Sequence, residues 1–377
     1  MELAPYLRLM VQRNGSDLYF STGAVPHIKI AGQTMAIGDQ KMGPGDVAKL
    51  AYSVMSDDQI REYEGTLECN LAISVQSLGR FRVNVFRQRG DVAMVIRFIK
   101  AEIPSIEELC LPQTLKNLVM EKRGLILVVG STGSGKSTTL ASMIDYRNTN
   151  TTGHILTIED PIEFLHSHKK SLVNQREIGL DSMNYENALK NALREAPDVI
   201  LIGEIRDAAT MQHAIAYAET GHLCLSTLHA NNANQALDRI VNFFPDSAHK
   251  QILNDLSLNL KAVVSQRLVP TVDNGRRAAV ELLVQTSYTA ELIQKGKIND
   301  LKEAMEQGGQ RGMMTFDQSL YDLFTERAIT LEQALSHADS RNNLALRIRL
   351  NAGGAATAAP APASPPPDLD LKGNVAG

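Results

Sequence analysis

The sequence predicts an α/β protein built on a parallel sheet, and three observations carry that prediction. An unbroken apolar run, L-I-L-V-V at 125–129, leads into G-S-T-G-S-G-K-S-T at 130–138 and then into helix-forming L-A-S-M-I at 140–144. This is the strand, loop and helix order that a G-x-x-x-x-G-K-[ST] phosphate loop requires. Further strand-sized apolar runs at 154–158, 199–202 and 223–227 alternate with helical spacing at 185–195, 208–220 and 233–242, the pattern of a parallel sheet covered by helices. Polar and acidic clusters follow these runs, where an open α/β sheet binds its ligands.

The elements before the phosphate loop read differently. The N-terminal M-E-L-A-P-Y-L-R-L-M-V-Q-R has an acid at position 2 and an arginine inside its apolar stretch, so it reads as a short amphipathic helix rather than a secretory signal. Short strands are expected at 16–20 and 27–30, helical structure over 44–64, and strands at 71–75, 79–86 and 92–99. In R-F-R-V-N-V-F the alternation puts Phe81, Val83 and Val85 on one face and Arg80, Arg82 and Asn84 on the other. Residues 1–100 thus form an α+β domain, and 101–122, with Pro104 and Pro112, a linker containing a helix. The nucleotide-binding core is expected over 123–270 and a helical region over 271–350. Within the part after Asp246, helices are expected at 248–264, 290–294, 299–306, 316–326 and 331–338, with a turn at 308–312. The Pro/Ala-rich segment 351–377 has little to bury and is expected to be disordered.

Composition narrows the function classes. A formal charge of −4 over 377 residues gives no basic footprint for nucleic acid. No apolar run approaches the ~20 residues of a membrane helix. The three cysteines, Cys69, Cys110 and Cys224, are not spaced for a zinc site or a disulfide framework, which fits a reducing, cytosolic compartment.

The residues that carry chemistry surround the phosphate loop. Backbone N–H groups from Ser131, Thr132, Gly133, Ser134 and Gly135 can cradle phosphates, with Lys136 reaching the β- and γ-phosphates, Ser137 holding Mg²⁺ and Thr138 completing the nucleotide-binding set. T-I-E-D-P-I-E-F places Glu159, Asp160 and Glu163 just past a buried strand, where a carboxylate can orient or deprotonate water. D-V-I-L-I-G-E ends a strand in Glu204, an acid suited to Mg²⁺ or its water, with Gly203 where many phosphate-loop enzymes carry Asp. S-T-L-H-A-N offers His229 as a group that touches the γ-phosphate, a weak signal on its own. By periodicity alone Arg80, Arg82 and Arg97 read as a solvated strand face.

Taken together, these motifs resemble a known family. L-R-E-A-P-D-V-I-L-I-G-E-I-R-D, at 193–207, is similar to the signature of secretion-type motor ATPases (the type II/IV secretion superfamily). T-I-E-D-P-I-E-F is similar to its aspartate box and S-T-L-H-A-N to its histidine box. Within the superfamily the chain most resembles the type IV pilus retraction ATPases, the PilT/PilU branch, and its accessory PilU-type members in particular.

The resemblance implies a RecA-like motor domain preceded by a PAS-like domain, in a ring-shaped homo-hexamer using ATP and Mg²⁺. It implies Glu163 as catalytic base, Glu204 as the Mg²⁺-associated acid and His229 as γ-phosphate sensor. It also implies that Arg82 and Arg97, with Arg80 as a third, reach the neighbouring protomer's nucleotide. The implied setting is the cytoplasmic face of the inner membrane, with a paralogous retraction ATPase and a pilus platform protein as partners and no nucleic acid. Extension and secretion members carry an extra N-terminal domain and usually a tetracysteine insert; their absence from this sequence favours retraction. The stretch T-S-Y-T-A-E-L-I-Q-K-G-K and the Pro/Ala tail differ from the main retraction motor and favour the accessory type. The alternatives are a related traffic ATPase or a nucleotide-binding adaptor with little turnover.

Overall fold

The computed structural model describes residues 2–30, 32–99 and 102–352. The chain opens with helix α1 (Ala4–Gln12) and strands β1 (Gly15–Ser21), β2 (His27–Ile30) and β3 (Gln33–Ala36). Helices α2 (Asp46–Tyr52) and α3 (Asp57–Thr66) follow, then strands β4 (Glu68–Val75), β5 (Gly79–Gln88) and β6 (Asp91–Ile99). These strands form an antiparallel sheet in the order β3-β2-β1-β6-β5-β4. The alternation in β5 sets its faces: Phe81, Val83 and Val85 are fully buried in one core with Leu7 and Met10 of α1 and Leu50 of α2. Each such side chain contributes roughly 1.5–3 kcal/mol through burial. The helical stretch expected over 44–64 is two helices. Ser56 starts the second with a capping box, its hydroxyl accepting from Gln59 N–H while the Gln59 side chain accepts from Ser56 N–H.

After helix α4 (Thr114–Val119), the second sheet begins with β7 (Gly124–Val129), α5 (Lys136–Asn150), β8 (Gly153–Glu159) and β9 (Ser171–Glu177). It continues through α6 (Tyr185–Ala192), β10 (Val199–Ile202), α7 (Ala208–Glu219), β11 (Leu223–Leu228), α8 (Ala233–Val241), α9 (Asp246–Asn259), β12 (Leu260–Pro270) and β13 (Arg276–Val284). The strand order is β13-β12-β7-β11-β10-β8-β9, parallel except for the antiparallel β12–β13 hairpin. Helices cover both faces, which is why these strands read as continuous apolar runs. Leu125, Leu127 and Val129 enter the core shared with α6 to α11, whereas Ile126 and Val128 enter the core shared with α4 and α5. Helices α10 (Ser287–Gln294), α11 (Leu301–Gln307), α12 (Phe316–Thr325), α13 (Leu331–His337) and α14 (Arg341–Ala352) complete the described chain. Phe316, Leu320, Leu344 and Ile348 of α12 and α14 pack on Val269 and Ala279 of the hairpin.

One expectation is corrected here. The helix expected over 248–264 stops at Asn259, and Leu260 begins a strand. The reason is pairing: Leu260 to Ser265 run parallel to Leu125 to Val129, and the β-branched Val263 and Val264 fit a strand buried on both faces. The partner strand β13 lies within the stretch read as mainly helical. The reading of a disordered tail falls, from residue 353 onward, outside the described residues; Asn351 and Ala352 end α14.

The hairpin also fixes the helix that follows His229. Glu281 of β13 is buried, and its Oε1 accepts from Ser265 Oγ at 2.9 Å and from the Ala233 N–H, in the first turn of α8, at 2.8 Å. Burial pushes this carboxyl above its ordinary range, against the opposing effect of those two donors. Glu281→Ala leaves both donors without their partner and is expected to cost about 1–3 kcal/mol. Urea denaturation measures this; an unchanged midpoint would show that the hairpin does not hold α8.

Candidate functional site

The carboxyl ends of β7, β8, β10 and β11 face a cleft of about 590 Å³. Strand β7 ends at Val129, and the chain turns immediately through the Gly-rich loop into α5. Gly130 has φ +153°, and a Cβ there would lie 2.6 Å from the Gln266 carbonyl oxygen and closer still to Ser134 Oγ. Gln266 belongs to β12 and is itself tied to α5, its Nε2 donating to Thr139 Oγ1 at 2.9 Å. The loop is therefore threaded between the neighbouring strand and its own helix, a passage that only glycine fits. Gly135, at φ +92°, caps the start of α5 in the left-handed region.

Of the loop residues, Thr132, Gly133, Gly135, Lys136, Ser137 and Thr138 line the cleft. Ser131 lies outside that lining, on the side facing Asn231 and Arg239. Ser134 is buried, with its hydroxyl unpartnered. Lys136 Nζ donates to the carbonyls of Gly130 and Ser131, both at 2.9 Å. Burial pulls this ammonium below its ordinary range, and the carboxylate of Glu204 works against that pull.

Glu163, Glu204 and His229 all line the same cleft. Glu163 is exposed, in a segment that follows the cis Asp160–Pro161 peptide. Glu204 is mostly buried and doubly engaged: Oε1 lies 3.1 Å from His229 Nε2, and Oε2 accepts from Arg206 Nε at 2.8 Å. Arg206 also lies 3.7 Å from Asp160. One chain of polar contacts thus links the ends of β8, β10 and β11. A Cβ at Gly203 would lie 3.1 Å from Tyr185 Oη and 3.3 Å from the Glu159 backbone, so the Asp common at that place would fit only if these neighbours gave by a few tenths of an ångström.

The arginines lie apart from this group. Arg82 and Arg97 are cross-strand neighbours on β5 and β6. Arg97 Nε donates to the buried Asp17 Oδ1 at 2.8 Å, which holds its guanidinium above the ordinary value. The adjacent Phe98, rather than any of the three arginines, lines the cleft. Arg97 feels the charge of Glu163 in its own chain without touching it, and Arg80 Nε is buried without a hydrogen-bond partner.

Several cleft features were not assigned from the sequence, four of them with a clear place in the geometry. Tyr185, Leu268 and Arg276 line the cleft, and nothing in a single sequence marks them. Glu159, read only as one of three acids, turns out to end β8 inside the cleft, where it accepts from Thr157 Oγ1 at 2.6 Å and from Gln175 Nε2 at 3.2 Å. Its signal was available: it is the acid placed directly at the end of an apolar strand.

A phosphate loop at the carboxyl edge of a doubly covered parallel sheet, with acids on the neighbouring strands, defines a RecA-like nucleoside triphosphatase. A family model described as "Type II/IV secretion system protein" matches residues 54–336, and the chain belongs to that family. It is 54% identical over 353 residues to the type IV pilus ATPase PilU of Pseudomonas aeruginosa, covering 93% of this chain and 92% of that one. It is 40% identical to the type IV pilus retraction ATPase PilT of the same organism, over 91% of this chain and 100% of that one. A crystal structure of the pilus retraction motor PilT with bound ADP aligns with a TM-score of 0.86 at 42% identity, over 92% of this chain and 99% of that one.

The setting of Glu159 gives a test of the site's electrostatics. Burial pushes its carboxyl up to about 6, against the hydrogen bonds from Thr157 and Gln175. In the unfolded chain it ionises near ~4.3. Between these values the unfolded chain has lost the proton and the folded chain has kept it, so stability falls as pH rises through the window and stays lower above it. Glu159→Gln carries a neutral amide at every pH. Relative to the parent it is expected to gain about 1–2 kcal/mol between about pH 5 and about pH 7.5. Urea denaturation across that range reads the difference, and a constant offset would mean that Glu159 ionises normally.

Proposed function

We propose that this chain is an ATP-hydrolysing motor that powers type IV pilus retraction, as a ring-shaped homo-hexamer of the accessory type working with a paralogous retraction ATPase. The hydrolytic part of the reading rests on one observation: Lys136, Glu163, Glu204 and His229, which come from four separate stretches of sequence, line one cleft. The pilus part rests on 54% identity over nearly the whole chain to a type IV pilus ATPase.

The residues divide the work by chemistry. Lys136 holds loop carbonyls here and exchanges them for the β- and γ-phosphate oxygens of ATP. Glu163 faces the cleft from an exposed position and orients or deprotonates the attacking water. His229 meets the γ-phosphate end, with Glu204 against its Nε2. Glu204 thereby joins the acid of one strand to the sensor of the next, so loss of the γ-phosphate is felt along β10 and β11 together.

The donor set fits Mg²⁺ with Ser137 as the direct protein ligand and Glu204, whose two oxygens already face His229 and Arg206, acting on the ion through a water. Among the described residues no three His, Cys, Asp or Glu side chains form a self-sufficient metal cluster. Mg²⁺ in phosphate-transfer sites takes most of its ligands from phosphate and water, with one or two from protein. When bound, the ion neutralises charge on the β- and γ-oxygens.

Arg82 and Arg97, with Arg80 beside them, supply positive charge to the neighbouring protomer's site in this reading. The motor acts at the cytoplasmic face of the inner membrane, against a pilus platform protein. Among the described residues no helix is long and apolar enough to cross a membrane, consistent with a peripheral place there.

Lys136→Ala is expected to abolish both nucleotide binding and phosphate release. Glu163→Gln is expected to keep ATP binding and lower phosphate release by ~10²-fold or more, at the low end of what a positioned general base contributes. Steady-state phosphate release with a parallel nucleotide-binding titration reads both. Normal turnover by the Gln variant would remove Glu163 as the base, and background turnover by the parent hexamer with tight ATP binding would turn the reading to a nucleotide-binding adaptor.

A further inference from the structure

The acidic segment 160–166 has no helix or strand of its own, yet it carries Glu163. Its backbone hangs from β9, the edge strand of the parallel sheet. Gln175 Nε2 donates to the Phe164 carbonyl at 2.9 Å, and Gln175 Oε1 accepts from the His166 N–H at 2.8 Å. The same Nε2 also donates to Glu159 Oε1 at 3.2 Å. Two acceptors on one side and a donor on the other fix the amide's orientation, because the flipped amide would meet like with like at all three. On the other flank of Glu163, Glu177 Oε2 accepts from the Ile162 N–H at 3.4 Å, a weaker contact. Glu163 is therefore pinned through its neighbours and through its own N–H, which faces the Glu159 carboxylate, while its side chain stays exposed to the cleft.

We propose that Gln175 is the positioning residue of the catalytic segment: one amide ties the end of β8 to the backbone beyond Glu163 and so aims Glu163 at the nucleotide. The inference rests on the hydrolytic reading of Glu163 given above. Gln175 does not itself line the cleft. It acts through geometry, and a misplacement near 1 Å of a catalytic group costs on the order of 10²-fold in rate. The fit explains why a polar side chain occupies the inward side of an edge strand whose register sets Gln175 opposite Thr157.

The test uses the purified full-length chain and compares Gln175→Met, Glu163→Gln and the double variant. Gln175→Met keeps length and volume and removes all three hydrogen bonds. Its kcat for phosphate release is expected to fall ~10- to 100-fold, with the Kd for ATP within about threefold of the parent. In hydrogen exchange the His166 amide is expected to lose protection while the β7 amides keep theirs. In single-turnover measurements the double variant is expected to match Glu163→Gln alone, because the two residues act as one unit. Gln175→Glu, which keeps the acceptor for His166 and loses both donations, replaces the Met variant if that variant does not fold; the same loss of kcat is expected. Parent-like kcat in the folded variant overturns the proposal. So does an equal fractional loss in the Glu163→Gln background, which would mean that Gln175 acts on something else. If Glu163→Gln itself turns over normally, the reading of Glu163 fails and this inference falls with it. If Glu163→Gln is inactive and Gln175→Met is not impaired, only this inference falls.

Discussion

Strand β7 is paired in parallel on both sides, by β11 and by β12, and every residue from Gly124 to Val129 is buried. That double pairing leaves the chain one exit, at the carboxyl edge, and sends it directly into the Gly-rich loop. The loop can make its turn only because Gly130 has no Cβ to meet the Gln266 carbonyl. Gln266 is held in turn by β12, which sits where it does because β13 and the C-terminal helices pack behind it. The phosphate cradle is thus rigid because it is wedged into the sheet. A helix N-terminus placed this way presents its free N–H groups without the cost of ordering them when an anion binds.

The same edge explains how the acids are arranged. β8, β10 and β11 end side by side, so Glu159, Glu204 and His229 arrive in one row without any long-range search. Four carboxylates line the cleft, from Glu159, Asp160, Glu163 and Glu204. Unpaired, they would repel one another and any phosphate. Arg206 draws two of them together, and His229 meets the free oxygen of Glu204. Glu159 is sheltered instead by burial and neutral donors, which leaves its proton less readily lost.

The sequence made the central strands, the loop and the identity of the acids legible because each leaves a local mark: an apolar run, a glycine spacing, a carboxylate after a strand. Strand β9 left a faint one. As an edge strand it buries only one face, and S-L-V-N-Q-R-E mixes polar groups into its inward side. The β12 strand was misread because apolar residues spaced for a helix at 248–259 run straight into Leu260 with no turn residue between them. Only the ladder to β7 decides the switch, and that partner is far away in sequence. Helix α14 had one usable signal, the buried pair Leu344 and Ile348 at i and i+4. Leu268 and Arg276 could not have been found at all, since what brings them to the cleft is the path of the hairpin rather than any motif.

Charge balance bears on how the cleft is completed. The cations lining it are Lys136 and Arg276, with Arg206 beside it already paired to Glu204 and Asp160, against four carboxylates, and a triphosphate adds several more negative charges. Mg²⁺ offsets part of this, but a low-dielectric site with that surplus still disfavours the charge that develops on a transferring phosphoryl group. Further positive charge has to come from outside the lining. The N-terminal sheet carries arginines in a row, with Arg82 beside Arg97 and Arg97 braced by the buried Asp17, and these are the source proposed above. Bracing matters more than mere presence: a free arginine would spend rotamer entropy each time it engaged a phosphate, whereas one held across two strands arrives already aimed. An arginine on a rigid sheet also moves only when its sheet moves. If it completes a neighbour's site, hydrolysis and the relative position of two protomers become one coupled equilibrium, which is the physical requirement for turning phosphate release into movement.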